Sequence, residues 1–338
     1  MARSKNRETV PKTVVVTGAS AGVGRAVVRR FARDGARIAL IARGVDGLEA
    51  TAREVEAAGG EALVLPLDVA DADAVEQAAA AVEEHWGAID IWINSAFAGV
   101  LGRFVDMDLA DYRRVTDVTY HGQVHGTMAA LKRMRHRNRG SIVLVGSALA
   151  YRGIPLQSAY CGAKHAIQGF QDSLRAELIH EGSGVHVSMV QLPGVNTPQF
   201  DWIRTAMPMK PQVASPPYQP EVAADAIHWA AHHRRKEVVV GFPALQAIWG
   251  DALASAPLDH YLAWTGVDGQ QSDEAILPGR RDNLYHPVPG DHGAHGRFDA
   301  SARKFSAQWW LSKNRGHLGL AALALGAAGA LVAGYRRR

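Results

Sequence analysis

Between residues 13 and 241, short apolar runs alternate with longer stretches whose apolar residues recur every three or four positions. The short runs are too continuous for a sheet with one wet face. Strands buried on both faces read this way, as in a parallel sheet covered by helices. The strands this predicts are Thr13–Thr17, Arg37–Ala42, Ala62–Leu67, Ile89–Asn94, Gly140–Gly146, Val185–Leu192 and Glu237–Gly241. Helical spacing predicts Val23–Arg33, Val45–Ala58, Ala72–Trp86, Ala110–Arg135, Ser158–His180 and Pro220–Arg234. Alternation at roughly 30 residues per βα unit builds one α/β domain, a doubly wound parallel sheet of about seven strands.

The pattern changes past residue 242. Pro243–Trp264 carries Leu245, Ile248, Trp249 and Leu253 at helical spacing and reads as one or two amphipathic helices. Residues 266–300 hold many Gly, Pro, Asp and His with no period, and read as an irregular extension draped over the core. Leu318–Tyr335 is a run of 18 residues without a charge, near the lower limit for crossing a bilayer. Trp309 and Trp310 before it and Tyr335 at its end suit interfacial anchors, and Ala322, Gly326, Ala330 and Gly334 form one small-residue stripe. The run is expected to be a transmembrane anchor; the competing reading is an Ala-rich tail helix docked on the protein or on a partner. The expected organisation is a disordered 1–11, an α/β domain over 12–242, an extension over 243–308 and an anchor with a basic end over 309–338.

The 338 residues are 47% hydrophobic and 21% charged, an ordinary globular balance. The net charge of +4 is not gathered into a basic stripe, which argues against nucleic acid as a partner. A single cysteine, Cys161, excludes an intrachain disulfide and fits a reducing compartment. The polar N-terminus lacks the apolar run of a secretory signal, so the domain is expected on the cytoplasmic side. His286, His292 and His295 are irregularly spaced with no cysteine beside them, and no metal site is expected.

The chemistry begins where the first strand runs into Thr17-Gly18-Ala19-Ser20-Ala21-Gly22-Val23-Gly24 and then a helix. Glycines there allow a sharp turn and let backbone N–H groups approach a pyrophosphate, whose charge the helix N-terminus favours. Further on, Ser147 closes the fifth strand, and Tyr160 and Lys164 follow at i, i+4 on one helix face. A free phenol titrates at about 10, too high for proton exchange at neutral pH. An ammonium about 4 Å away is worth roughly 4 kcal/mol at an effective dielectric near 20, so Lys164 is expected to bring Tyr160 towards neutrality.

The TGxxxGxG loop, Ser147 and the YxxxK pair together resemble the short-chain dehydrogenase/reductase family over about residues 12–242. The resemblance implies a Rossmann-fold oxidoreductase. Tyr160 would exchange the proton at the substrate oxygen, Lys164 would also hold the nicotinamide ribose, and Ser147 would orient the carbonyl. It implies cofactor contacts from Thr17, Gly18, Ser20, Gly22, Val23 and Gly24, and from Asp68 and Val69 at the adenine. Asn94 and Ala96 match its fourth-strand motif, although Phe97 stands where glycine is expected. Pro193, Gly194, Val195 and Thr197 match its PGxxxT turn beside the nicotinamide. The family's catalytic Asn position is taken by Thr119, a shorter side chain without the amide.

The second strand ends in Ile41-Ala42-Arg43 with no carboxylate to read a ribose 2′-hydroxyl. A guanidinium suits a 2′-phosphate instead, so NADP(H) is the expected cofactor. A solvated surface role for Arg43 is the competing reading. The segment Gln199–Pro217 carries Phe200, Trp202, Ile203, Met207 and Met209 at the family's substrate-lid position. That implies a small-molecule carbonyl or alcohol of lipophilic character, unless those side chains only hold the lid down. The family also implies a homo-oligomer paired through Ala110–Arg135 and Ser158–His180. A non-catalytic, membrane-tethered NADP(H)-binding sensor is the alternative that Thr119 and Phe97 keep open.

Overall fold

The computed structural model describes residues 11–213 and 216–316. Seven parallel strands form the sheet: β1 (Thr13–Thr17), β2 (Arg37–Ala42), β3 (Glu61–Pro66), β4 (Ile91–Asn94), β5 (Gly140–Ser147), β6 (Val185–Leu192) and β7 (Glu237–Val239). Their spatial order is β7-β6-β5-β4-β1-β2-β3, and every pairing is parallel. The chain order reverses beside β1, so the crevice where a doubly wound sheet binds ligands opens at the C-terminal ends of β1 and β4. The central strands are buried throughout: Val14, Val15, Val16, Ile91 and Ile93 turn to one face or the other of a core that has no wet side.

Helices α1 (Gly22–Ala32), α2 (Val45–Ala57), α3 (Ala72–Trp86), α4 (Leu109–Thr116), α5 (Gly122–His136), α6 (Ser158–His180), the single turn α7 (Gln199–Trp202) and α8 (Pro220–His232) accompany the sheet. Strand and helix edges differ from the sequence expectation by up to two residues, except in one place. The single helix expected over Ala110–Arg135 is interrupted by a π turn at Asp117–His121. A π turn carries one extra residue per turn and breaks the usual bonding. Thr119 exploits the break: its hydroxyl donates to the Ala98 carbonyl (2.9 Å) and accepts from the Ala98 amide (3.0 Å), stitching the helix to the loop after β4.

Helix α9 (Phe242–Thr265) covers the stretch expected to be helical, bent at Ala254 and carrying Pro257, but Trp249 and Leu253 of the expected apolar face are exposed. Its acidic residues Asp251 and Asp259 turn inward onto Arg152. The extension then returns across the domain. Residues 271–275 pair antiparallel with 209–211 of the lid segment, and residues 307–316 are helical against α8. There Trp309 is 4% exposed, its indole donating to Asp225 (2.8 Å), and Lys313 pairs with the same carboxylate. Trp309 is therefore a packing residue of the domain, which corrects its expected role at a membrane interface; Trp310 is about half exposed. Among the described residues no helix is long and apolar enough to cross a membrane, and Leu318–Tyr335 lies outside them.

Candidate active site and cofactor cleft

The turn after β1 is shaped by contacts that only glycine permits. Gly18 has φ +70, and an added Cβ would lie 2.9 Å from the Ala96 Cα. At Gly24 the Cβ would meet the Gly18 carbonyl oxygen at 2.1 Å, so α1 starts pressed against its own loop. Thr17 locks the arrangement, its hydroxyl accepting from the Ser95 and Ala96 amides at 3.0 and 3.1 Å. The N–H groups of the first α1 turn lie at the crevice, the usual setting for an anion, and that of Gly22 is met by the Gly293 carbonyl (3.1 Å).

Several residues expected at the cofactor use their side chains to hold the frame of the crevice. Asn94 is fully buried, accepting from the Trp92 indole (3.0 Å) and donating to Thr127 (3.0 Å). The side chains of Asn94 and Thr17 both fix the loop after β4 beside the crevice. The Thr119 hydroxyl bonds both the carbonyl and the amide of Ala98 and so fixes the loop after β4. Asp68 stands at the end of β3 as expected, capping the Ala70 amide (3.0 Å) and pairing with Arg114, a partner that the sequence pattern did not single out. Val69 is buried beside it, its carbonyl facing His125 (2.9 Å). On the far side of the crevice Val195 and Tyr218 bridge, and Thr197 closes on Gly22, whose Cβ would lie 3.2 Å from the Thr197 methyl.

Ser147, Tyr160 and Lys164 come together at the mouth of β5. The Ser147 hydroxyl faces the Tyr160 phenol and accepts from the Leu149 amide (3.1 Å). Lys164 is 2% exposed; its Nζ lies 5.5 Å from the Tyr160 ring centre and donates to the Val145 carbonyl (2.7 Å). Gln123 on α5 donates to that same carbonyl (3.1 Å), a second support that spacing alone gave no reason to expect. Burial pushes the phenol above its ordinary value despite the Ser147 contact, and burial pulls Lys164 down to about 7. The expected lowering of the phenol is thus not built into the protein alone. Desolvation wins, because the ammonium is aimed at a carbonyl rather than at the phenol oxygen.

Phe97 is about one-third exposed and sets its ring edge-on to Tyr160, with the centres 5.8 Å apart. The substituted loop position therefore forms a wall of the reaction site. The lid side chains mostly pack inward: Phe200 on Phe298, Trp202 on His292, Ile203 with Leu101 and Leu156. A cavity of about 500 Å³ lies beside the lid, bordered by Asp111, Arg204, Arg280 and Asp282, but none of the three reaction-site side chains lines it.

The family model described as short chain dehydrogenase matches residues 12–207. The chain belongs to the short-chain dehydrogenase family. Among relatives, it is 29% identical to an uncharacterized oxidoreductase, YxnA, of Bacillus subtilis over 85% of this chain and 82% of that one. Among solved structures it is similar to an alcohol dehydrogenase from the archaeon Thermococcus sibiricus complexed with 5-hydroxy-NADP. That match has a TM-score of 0.59 and 27% identity, over 68% of this chain and 95% of that one. A metagenomic short-chain oxidoreductase in complex with NADP matches at a TM-score of 0.58 with 29% identity, covering 68% and 96%. As a short-chain dehydrogenase the chain is an oxidoreductase acting between alcohols and carbonyls.

Proposed function

We propose that this protein is an NADP(H)-dependent reductase or dehydrogenase of a lipophilic carbonyl or alcohol. The observation that carries the reading is the Ser147–Tyr160–Lys164 cluster standing at the mouth of the crevice that Gly18, Gly22 and Gly24 shape. The first turn of α1 would take the pyrophosphate, Arg43 the 2′-phosphate, and Asp68 with Val69 the adenine. The nicotinamide supplies or accepts the hydride when bound. Tyr160 gives or takes the proton at the substrate oxygen and Ser147 orients that oxygen. Lys164, supported through Val145 and backed by Gln123, holds the ribose and supplies positive charge behind the phenol. The exposed edge of Phe97 beside Tyr160 favours an apolar group on the substrate. The protein's pairing into a homo-oligomer through α4, α5 and α6 is part of the same reading, as is membrane contact through residues 318–335 on the cytoplasmic side. Because Trp309 is a core residue, a truncation that removes only that run must begin after residue 316.

The cofactor assignment is tested at Arg43, which is the cation at the end of β2. Arg43→Asp replaces a charge-assisted contact to phosphate with a repulsion. The NADPH dissociation constant is expected to rise about 100-fold or more while that for NADH changes far less. Equal changes for both, by equilibrium titration, would contradict the assignment.

A further inference from the structure

The adenosine half of the cleft is already occupied by the protein's own chain. Arg43 donates to the Leu284 and Tyr285 carbonyls (3.0 Å each) and also to that of Asn283. Arg114, the partner of Asp68, donates to Leu284 as well (3.1 Å). The Leu284 side chain is fully buried in the core cluster that contains Ile41, Val69 and Val115. Nine residues on, the Gly293 carbonyl accepts the first N–H of α1, from Gly22, at 3.1 Å. Asp291 pairs with Arg25 on α1, and the Gly290 amide donates to Asp46 on α2 (2.7 Å).

These contacts have a common chemistry. The guanidinium and the helix N-terminus are donors suited to phosphate oxygens, and here each is met by a backbone carbonyl of one segment. An apolar side chain fills the place beside Asp68 and Val69. We propose that residues 283–293 form an autoinhibitory strap whose carbonyls and Leu284 stand in for the adenosine phosphate half of the cofactor, and that cofactor binding expels it. The segment can leave without dismantling the sheet, since residues 283–293 add no strand to it and carry Pro287, Pro289, Gly290 and Gly293. A 2′-phosphate compensates Arg43 for the carbonyls it loses, and a ligand without that group leaves the guanidinium unpaired. The strap also touches the lid, through the Asn283 amide on the Trp202 carbonyl (3.1 Å) and His292 on the Trp202 ring. Its departure therefore frees one edge of the lid at the moment the cofactor enters.

The proposal rests on the NADP(H) reading above and is tested on the full chain by hydrogen–deuterium exchange. Saturating NADPH, or adenosine 2′,5′-bisphosphate alone, is expected to speed exchange at residues 283–293 about tenfold or more. Nicotinamide mononucleotide, which lacks the adenosine, is expected to leave it unchanged. Leu284→Ala removes the plug and is expected to raise the NADPH association rate roughly tenfold with little change in dissociation. Asp291→Asn, which loosens the latch to Arg25 without opening a core void, is expected to act in the same direction by about threefold. Added protection of the strap with NADPH bound, or a faster dissociation in either variant, would show a fixed wall of the cofactor site and overturn the strap. NADPH failing to bind either variant or the natural chain in equilibrium dialysis would overturn the cofactor reading, and the strap with it.

Discussion

Tyr160→Phe is expected to lower kcat for carbonyl reduction by about 1,000-fold or more while leaving NADPH affinity within a factor of about three, since a positioned proton donor contributes on the order of 100- to 10,000-fold. The ring of Tyr160 packs edge-on against Phe97, and the substitution keeps that contact, so the fold is not put at risk. Only the oxygen that faces Ser147 is lost. Burial holds the phenol above its ordinary value, so proton donation depends on the positive charge brought close to it. Loss of NADPH consumption with binding retained, measured on one preparation, is the expected pair of results. Turnover that survives the substitution would remove Tyr160 from the chemistry.

Gly24→Ala is expected to be the most damaging single methyl in the cleft. The new Cβ would lie 2.1 Å from the Gly18 carbonyl oxygen and 2.7 Å from its carbon, both backbone atoms of the same turn. Neither can rotate away, and Gly18 cannot retreat, because it already abuts the Ala96 backbone. Overpacking of this kind costs about 3 kcal/mol or more, which for a domain of this size lowers Tm by roughly 6–12 °C. The displacement falls on the N–H groups expected to meet the pyrophosphate, so NADPH affinity is expected to fall together with stability. Calorimetric melting with and without NADPH checks both. A variant with unchanged Tm and unchanged stabilisation by NADPH would contradict the packing described here.

The sheet was legible in the sequence because its strands are buried on both faces and appear as unbroken apolar runs, separated by helices with a clear period. The reaction residues were legible because Ser147, Tyr160 and Lys164 lie on a strand end and one helix face, where spacing fixes geometry. What spacing could not show was how their charges would be solvated. The orientation of Lys164 towards the Val145 carbonyl and the support from Gln123 depend on burial from three separate elements. The π turn at Asp117–His121 escaped notice since its residues keep helical spacing, and only the Thr119 contact with Ala98 reveals the break. Phe97 was visible as a departure from the family loop, but its packing on Tyr160 was not.

The extension was legible only as irregular. Its grip on the cleft is made largely by the backbone carbonyls of Asn283, Leu284, Tyr285 and Gly293, which every sequence possesses and none advertises. Trp309 misled for a related reason. An indole next to an apolar run suits a membrane interface, yet its N–H finds Asp225 within the domain, a partner 84 positions earlier in the chain. In both cases the deciding contact is long-range and polar, and hydrophobic periodicity carries no record of it.

Hydride transfer between NADP(H) and a substrate carbonyl or alcohol is the activity proposed for this protein. The direct measurement is incubation of the full chain with a panel of lipophilic ketones and NADPH doubly deuterated at the transferable carbon, followed by mass spectrometry of the products. The account predicts an alcohol carrying one deuterium at the former carbonyl carbon, formed by the natural chain and not by Tyr160→Phe. NADPH that binds stoichiometrically yet passes no deuterium to any ketone would contradict that account and leave a cofactor-binding sensor in its place.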